Sequence, residues 1–128
     1  MAIEYDVIQA GTRIMTYPKG ALNTHDTIEY FNQLKNDKRI KQGAVEIVNF
    51  KDVTDFQITY LDSQEITKNY QDPKAIQMIE STVFVCETKL AYGIGRMLQT
   101  FHEITNPDHK VLVVDSESKV EGAIKQPE

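Results

Sequence analysis

The stretch Cys86-Glu-Thr-Lys-Leu-Ala-Tyr-Gly-Ile-Gly-Arg-Met-Leu-Gln-Thr-Phe101 decides how the rest of the chain is read. It follows the strand-like run Thr82-Val-Phe-Val-Cys86 and precedes the apolar run Val111-Leu-Val-Val114, so it is either a glycine-rich ligand loop or a helix joining two strands. A dinucleotide fingerprint places its first glycine in the tight turn at the strand end and carries a third glycine further on. Here six residues, from Glu87 to Tyr92, separate Cys86 from Gly93, and Gly95 is followed by Arg96, Met97 and Leu98. Asp115 lies at a suggestive distance beyond Gly95, but the rest of the pattern is misplaced and incomplete.

A helix accounts for the segment better. Leu90, Ile94, Met97, Leu98, Phe101 and Ile104 recur every three or four residues and define one face. Burying six such side chains is worth roughly 9 to 18 kcal/mol gross, as an upper bound, against about 2 kcal/mol for two interior glycines. The spacing therefore predicts a continuous helix over 88–105. Ala91 and Gly95 form a narrow strip on it along which the backbone can approach a neighbour closely. Lys89, Tyr92 and Arg96 stand near its start, where they can meet an anionic group or a partner.

Outward from this helix, Ile3, Tyr5 and Val7 alternate with Glu4 and Asp6, and Thr12 to Tyr17 alternates again after Gln9-Ala-Gly11, which predicts an antiparallel hairpin. Pro18-Lys-Gly20 reads as the turn ending its second strand. Asn23-Thr-His-Asp26 supplies caps for a helix with Ile28, Phe31 and Leu34 on one face, ending near Asn36. Ala44-Val-Glu-Ile-Val-Asn-Phe50 has the near-continuous apolar character of a central strand. Phe56 to Tyr60 reads as a short extended segment. Asp62-Ser-Gln-Glu65 has the order of a cap followed by an acidic first turn, so a helix is expected to start near Ser63. Pro73 predicts a break followed by a second helical piece through Ile76 and Ile79. Asn106-Pro-Asp108 reads as a loop, residues 118–124 as a short capped helix, and residues 126–128 as a tail. The fold class expected is α/β, one domain over 1–128, with helices packed on a mixed sheet of about five strands.

Composition narrows the function. A net charge of −5 argues against a broad phosphate-binding surface, and the basic run Lys35 to Lys41 reads as a solvated helix end, so no nucleic acid is expected. Apolar runs are too short to cross a bilayer and the start, Met1 to Asp6, lacks the form of a signal peptide, so the expectation is a cytoplasmic protein without membrane attachment. The single cysteine, Cys86, excludes an internal disulfide and thiolate zinc clusters. It reads as a buried small hydrophobe at a strand end, its catalytic alternative requiring a cleft shared with His102. His25, His102 and His109 show no metal-ligand spacing, and no Gly-x-Ser-x-Gly elbow is present, so neither a metal, a cofactor nor a catalytic set is assigned.

Lys89-Leu-Ala-Tyr-Gly-Ile-Gly-Arg-Met97 between two apolar strands, Tyr17-Pro-Lys-Gly-Ala-Leu-Asn23 before a helix, and the central run 44–50 together resemble the STAS-like family, small bacterial proteins related in fold to anti-sigma-factor antagonists. The resemblance spans about residues 12 to 124 and implies a regulatory or protein-interaction module. In the phosphorylated antagonists the helix after the central strand opens with an aspartate, two small residues and a glycine, the second small residue accepting phosphate. Asp62 and Ser63 match, while Gln64 and Glu65 occupy the acceptor and glycine positions and residues 51–59 form an insertion. The resemblance thus implies Ser63 as the phosphoacceptor candidate. Strand carboxyl ends supply further candidates for binding a ligand or partner, Asn49 and Asp52 beside Lys89. Three readings follow: a non-catalytic regulatory or interaction module, which can also sense a small ligand; a small enzyme or ligand carrier using a crevice near Tyr92 and Arg96; and a structural subunit of a homo-oligomer.

Overall fold

The computed structural model describes residues 3–69, 79–105 and 108–125. The N-terminal alternation forms the hairpin β1 (Glu4–Ile8) and β2 (Arg13–Tyr17), paired antiparallel with Glu4 opposite Tyr17. Its connection is a 3-10 turn over Gln9–Gly11 in which all three residues take positive φ, Gly11 at 89°. A side chain at Gly11 would also meet the Arg39 carbonyl, so glycine is required there twice over.

Pro18 ends β2, but the segment after it is a strand and not the turn expected: β3 (Lys19–Asn23) pairs in parallel with β5 (Asp52–Gln57) in a separate two-stranded sheet. Helix α1 (Thr24–Lys35) begins where Asn23 accepts a 2.8 Å hydrogen bond from the Asp26 amide, and ends at Asn36. The central strand β4 (Ala44–Asn49) is buried along its whole length. Helix α2 (Tyr60–Asn69) starts three residues earlier than expected. Its cap is Thr59, whose hydroxyl accepts from the Asp62 amide while the Asp62 carboxylate accepts from the Thr59 amide, a reciprocal box. The break expected at Pro73 and the helical piece through Ile76 lie outside the described residues. Ile79 is not helical but opens β6 (Ile79–Val85). Then follow α3 (Lys89–Thr105), β7 (Lys110–Val114), a 3-10 turn at Glu117–Lys119, and α4 (Val120–Lys125).

The main sheet is mixed and five-stranded, in the order β1-β2-β4-β6-β7, with β2, β4, β6 and β7 parallel. Both faces are covered, which is why β4 and β6 carry apolar residues without alternation. On one face Ala44, Val48, Ile79 and Phe84 pack under Phe31 and Leu34 of α1, Ile66 of α2 and Leu98 of α3. On the other, Val45, Ile47, Val83 and Val85 meet Val120 and Ile124 of α4.

One irregularity positions the site. Ala44 pairs with Ile79 but Val45 pairs with Ser81, so β6 carries one extra residue at Glu80. Because side chains alternate along a strand, this bulge turns Thr82 onto the helix-covered face beside its partner Glu46.

Helix α3 confirms the close-packing reading of the glycine pair for Gly95 alone. A Cβ at Gly95 would lie 2.8 Å from Cys86 Sγ, 3.4 Å from Val113 Cγ1 and 3.6 Å from Phe84 Cβ, whereas one at Gly93 meets nothing within 4 Å. The buried stripe runs through Ala91, Gly95, Leu98, Phe101 and His102, not through Leu90 and Ile104, which are exposed. No helix among the described residues is long and apolar enough to cross a membrane.

Candidate functional site

Beneath α1 and α3, the helix-covered face of the sheet carries polar side chains where a core would place apolar ones. Thr16 on β2, Glu46 on β4 and Thr82 on β6 lie on adjacent strands, and Glu46 is completely buried. Tyr30 of α1 donates to Glu46 Oε2, and its hydroxyl lies 2.7 Å from Thr16 Oγ1. Thr82 Oγ1 lies 2.8 Å from Glu46 Oε1 and 2.9 Å from His109 Nε2. His102 of α3 stacks at a tilt on His109, ring centroids 5.2 Å apart. The result is a line of hydrogen-bonding groups, from Thr16 to His109, crossing three strands inside the core.

Burial governs its electrostatics. Desolvation, with a smaller contribution from His109, pushes the His102 imidazole down to about 3. Desolvation also lowers His109 to about 4, against an opposing hydrogen bond to the Ile79 backbone. Both rings are therefore neutral at pH 7. Beside Glu46, Tyr30, Thr16 and His102 lies a small, partly open cavity of about 50 Å³, lined also by Thr27 and by apolar residues such as Val48, Phe50, Ile58, Ile66, Phe84 and Leu98.

The residues singled out from the sequence do not share one site. Lys89, Tyr92 and Arg96 are together on the exposed side of α3, near its Thr88 cap. Asn49 alternates to the opposite face of the sheet and is buried; its side-chain carbonyl accepts from the Lys51 amide, and its Nδ2 has no hydrogen-bond partner among the described residues. Asp52 opens β5 at the edge of a broad surface groove of about 690 Å³ shared with Tyr5, Tyr17, Lys19, Arg39 and Lys51. The cations of that groove are engaged locally: Lys19 with Glu4, Arg39 with Asp37, and Lys51 over the Tyr17 ring. Ser63 is the fourth residue of α2, inside its first turn. At the start of α1, His25, Asp26 and Glu29 bring ligand-type atoms within 4.8 Å of one another on the surface, a grouping made by helical spacing.

Sequence reasoning missed Glu46, Tyr30 and the two-histidine stack. The available signal was the carboxylate inside Ala44-Val-Glu-Ile-Val-Asn49, a charge at a position the surrounding pattern buries.

Cys86 is buried, and desolvation pushes its thiol up to about 12, so the nucleophile alternative has no support in its surroundings. The native protein is expected to react with a thiol reagent such as DTNB only as fast as it unfolds; stoichiometric labelling within seconds at pH 8 would contradict this burial.

No protein-family model matches the sequence, and no curated protein matches it. Two solved structures share the fold. One is an uncharacterized protein of the DUF3478 family with a SpoIIAA-like fold, from Shewanella loihica PV-4: TM-score 0.59 and 10% identity, covering 95% of this chain and 91% of that one. The other is the anti-sigma factor antagonist SpoIIAA in its unphosphorylated form: TM-score 0.52 and 8% identity, covering 98% of this chain and all of that one. The chain has a SpoIIAA-like, STAS-like α/β fold.

Proposed function

We propose that this SpoIIAA-like domain is a non-catalytic regulatory module that docks a partner protein on the first turns of α2 and α3. One observation carries the reading: Leu61 is 73% exposed, Leu90 60% and Tyr92 40%. Leu61 lies in the first turn of α2, Leu90 and Tyr92 in the first turn of α3, and the two helices pack on each other.

Apolar side chains exposed at neighbouring helix starts, with Lys89 and Arg96 beside them, have the make-up of an interface centre with a basic rim. In a chain of net charge −5, such a rim favours a partner whose contacting surface is acidic. Ser63, in the same α2 turn as Leu61, is the position at which a phosphate would add negative charge to this end of α2.

The test compares wild-type protein with Leu61→Asp/Leu90→Asp as baits in native lysate, circular dichroism confirming that both are folded. A stoichiometric partner held by the wild type and lost at least tenfold by the variant supports the docking surface, and equal retention by both refutes it. Phosphopeptide mapping of bait purified from growing cells reads the state of Ser63 in the same experiment; its consistent absence removes the phosphate element alone.

A further inference from the structure

β1 stands at the edge of the main sheet and pairs, among the described residues, with β2 alone. In an antiparallel pair alternate residues turn their N–H and C=O groups toward the partner and the others turn them away, so the far side of β1 presents unpaired main-chain groups. Neither proline nor a bulge blunts this edge: the register with β2 runs unbroken from Glu4 opposite Tyr17 to Ile8 opposite Arg13.

The broad groove runs along that edge. Ile3, Glu4, Tyr5 and Asp6 all line it. Successive side chains of a strand point to opposite faces, so a groove that touches four residues in a row follows the edge of the strand and not one of its faces. Its two sides differ in chemistry. On one, Ile3 is buried, and the Tyr5 ring is held edge-to-face on Tyr30 at 5.7 Å while its hydroxyl donates to Asp37 at 2.8 Å. On the other, Glu4 and Asp6 are exposed carboxylates. Lys19 approaches Glu4 at 3.5 Å, a contact between exposed groups that is worth little, and Asp6 has no ion pair among the described residues.

These two sides restrict what can pair with β1. Antiparallel pairing with a second copy of β1 would set its carboxylates against their own kind on one face, which disfavours self-association. A strand that alternates cationic with apolar residues suits both sides. Its lysines or arginines fall beside Glu4 and Asp6, and its apolar side chains fall beside Ile3, Tyr5 and Val7.

We propose that the edge of β1 is a second interaction surface, which takes an extended, alternately basic and apolar segment of another protein as a sixth strand of the main sheet. It shares no residue with the docking surface on α2 and α3, and neither depends on the other.

The test uses the whole chain and capped peptides about as long as β1. One peptide alternates valine with lysine, one alternates valine with glutamate, and a third is the lysine peptide with every amide N-methylated. Amide hydrogen exchange read by NMR is expected to show the outward amides of β1 slowed at least tenfold, saturably, by the lysine peptide, with the first turns of α2 and α3 unaffected. The glutamate peptide, which meets Glu4 and Asp6 with like charge, and the N-methylated peptide, which has no amide to donate, bind at least tenfold more weakly. Glu4→Lys/Asp6→Lys changes two exposed positions and, with circular dichroism confirming the fold, reverses the preference between the lysine and glutamate peptides. Should that variant fail to fold, the three peptides on the wild type decide alone. Absence of saturable slowing in β1, equal binding by the glutamate or N-methylated peptide, or a lysine preference that survives in the folded variant each overturns the proposal.

Discussion

Acidification from pH 6.5 to 4.5 is expected to destabilise this protein by about 4 kcal/mol, well before its surface carboxylates matter. An imidazole in the unfolded chain takes up a proton near pH 6.5, whereas His102 and His109 refuse one until about 3 and about 4. Across that window the unfolded state binds two protons that the folded state does not, so stability is present above pH 6.5 and is lost as pH falls. The slope approaches two protons, about 2.7 kcal/mol per pH unit, once both unfolded-state imidazoles are protonated. Asp62, Asp115 and Glu121 are lowered by their hydrogen-bonding partners, Thr59, Lys119 and Arg13, and lose that advantage only as pH falls from the ordinary carboxylate range through their lowered folded values. Urea unfolding at half-unit pH steps measures the slope. His102→Leu should about halve it. Stability that is constant or rises as pH falls from 6.5 to 4.5 would refute the buried neutral histidines.

The same residues show why the architecture was easier to read than the site. Parallel strands covered on both faces announce themselves as continuous apolar runs, so β4, β6 and β7 and the intervening α3 were legible from local pattern. The pairing of β3 with β5 was not. It joins Lys19 to Asp52 across a helix and a strand, and neither segment carries a sign of the other. The cap of α2 was read at Asp62 to Glu65, where the spacing of a cap and an acidic first turn recurs; the reciprocal bonds place it three residues earlier, at Thr59 and Asp62. His102 was obscured by the shift of the α3 stripe. Hydrophobicity counts apolar side chains, so Gly95 reads as a gap, yet in space it is the point of nearest approach and the true centre of the face. With the stripe centred there, His102 falls one helical turn beyond Leu98 on the buried side. Glu46 was visible only as an exception to a pattern, and its described partners, Tyr30 and Thr82, come from two other elements that no spacing connects.

Gly95→Ala and Gly93→Ala, chemically identical substitutions two residues apart, are expected to move stability in opposite directions. Both glycines lie within α3 without positive φ, so each replacement gains roughly 1 kcal/mol of helix propensity. At Gly93 the new methyl group enters open space, and the gain is expressed in full. At Gly95 it would lie 2.8 Å from Cys86 Sγ, a short side chain held at the end of β6 and only 1% exposed. Accommodating it requires α3 to lift from the sheet or Cys86 to move into packed neighbours, an overpacking cost of about 1 to 3 kcal/mol that outweighs the propensity gain. Cys86→Ala separates this account from a general intolerance of the helix. Removing the sulfur alone loses about 1 kcal/mol or more of packing. It also clears the obstruction, after which the Gly95→Ala methyl group faces only Val113 at 3.4 Å and Phe84 at 3.6 Å. The double variant should therefore be more stable than the sum of the single effects by at least about 1 kcal/mol, a coupling that chemical denaturation resolves. Additive effects, or a Gly95→Ala protein as stable as Gly93→Ala, would mean that α3 does not rest on Cys86. The floor under its buried stripe, where His102 meets the cavity, would then be placed differently.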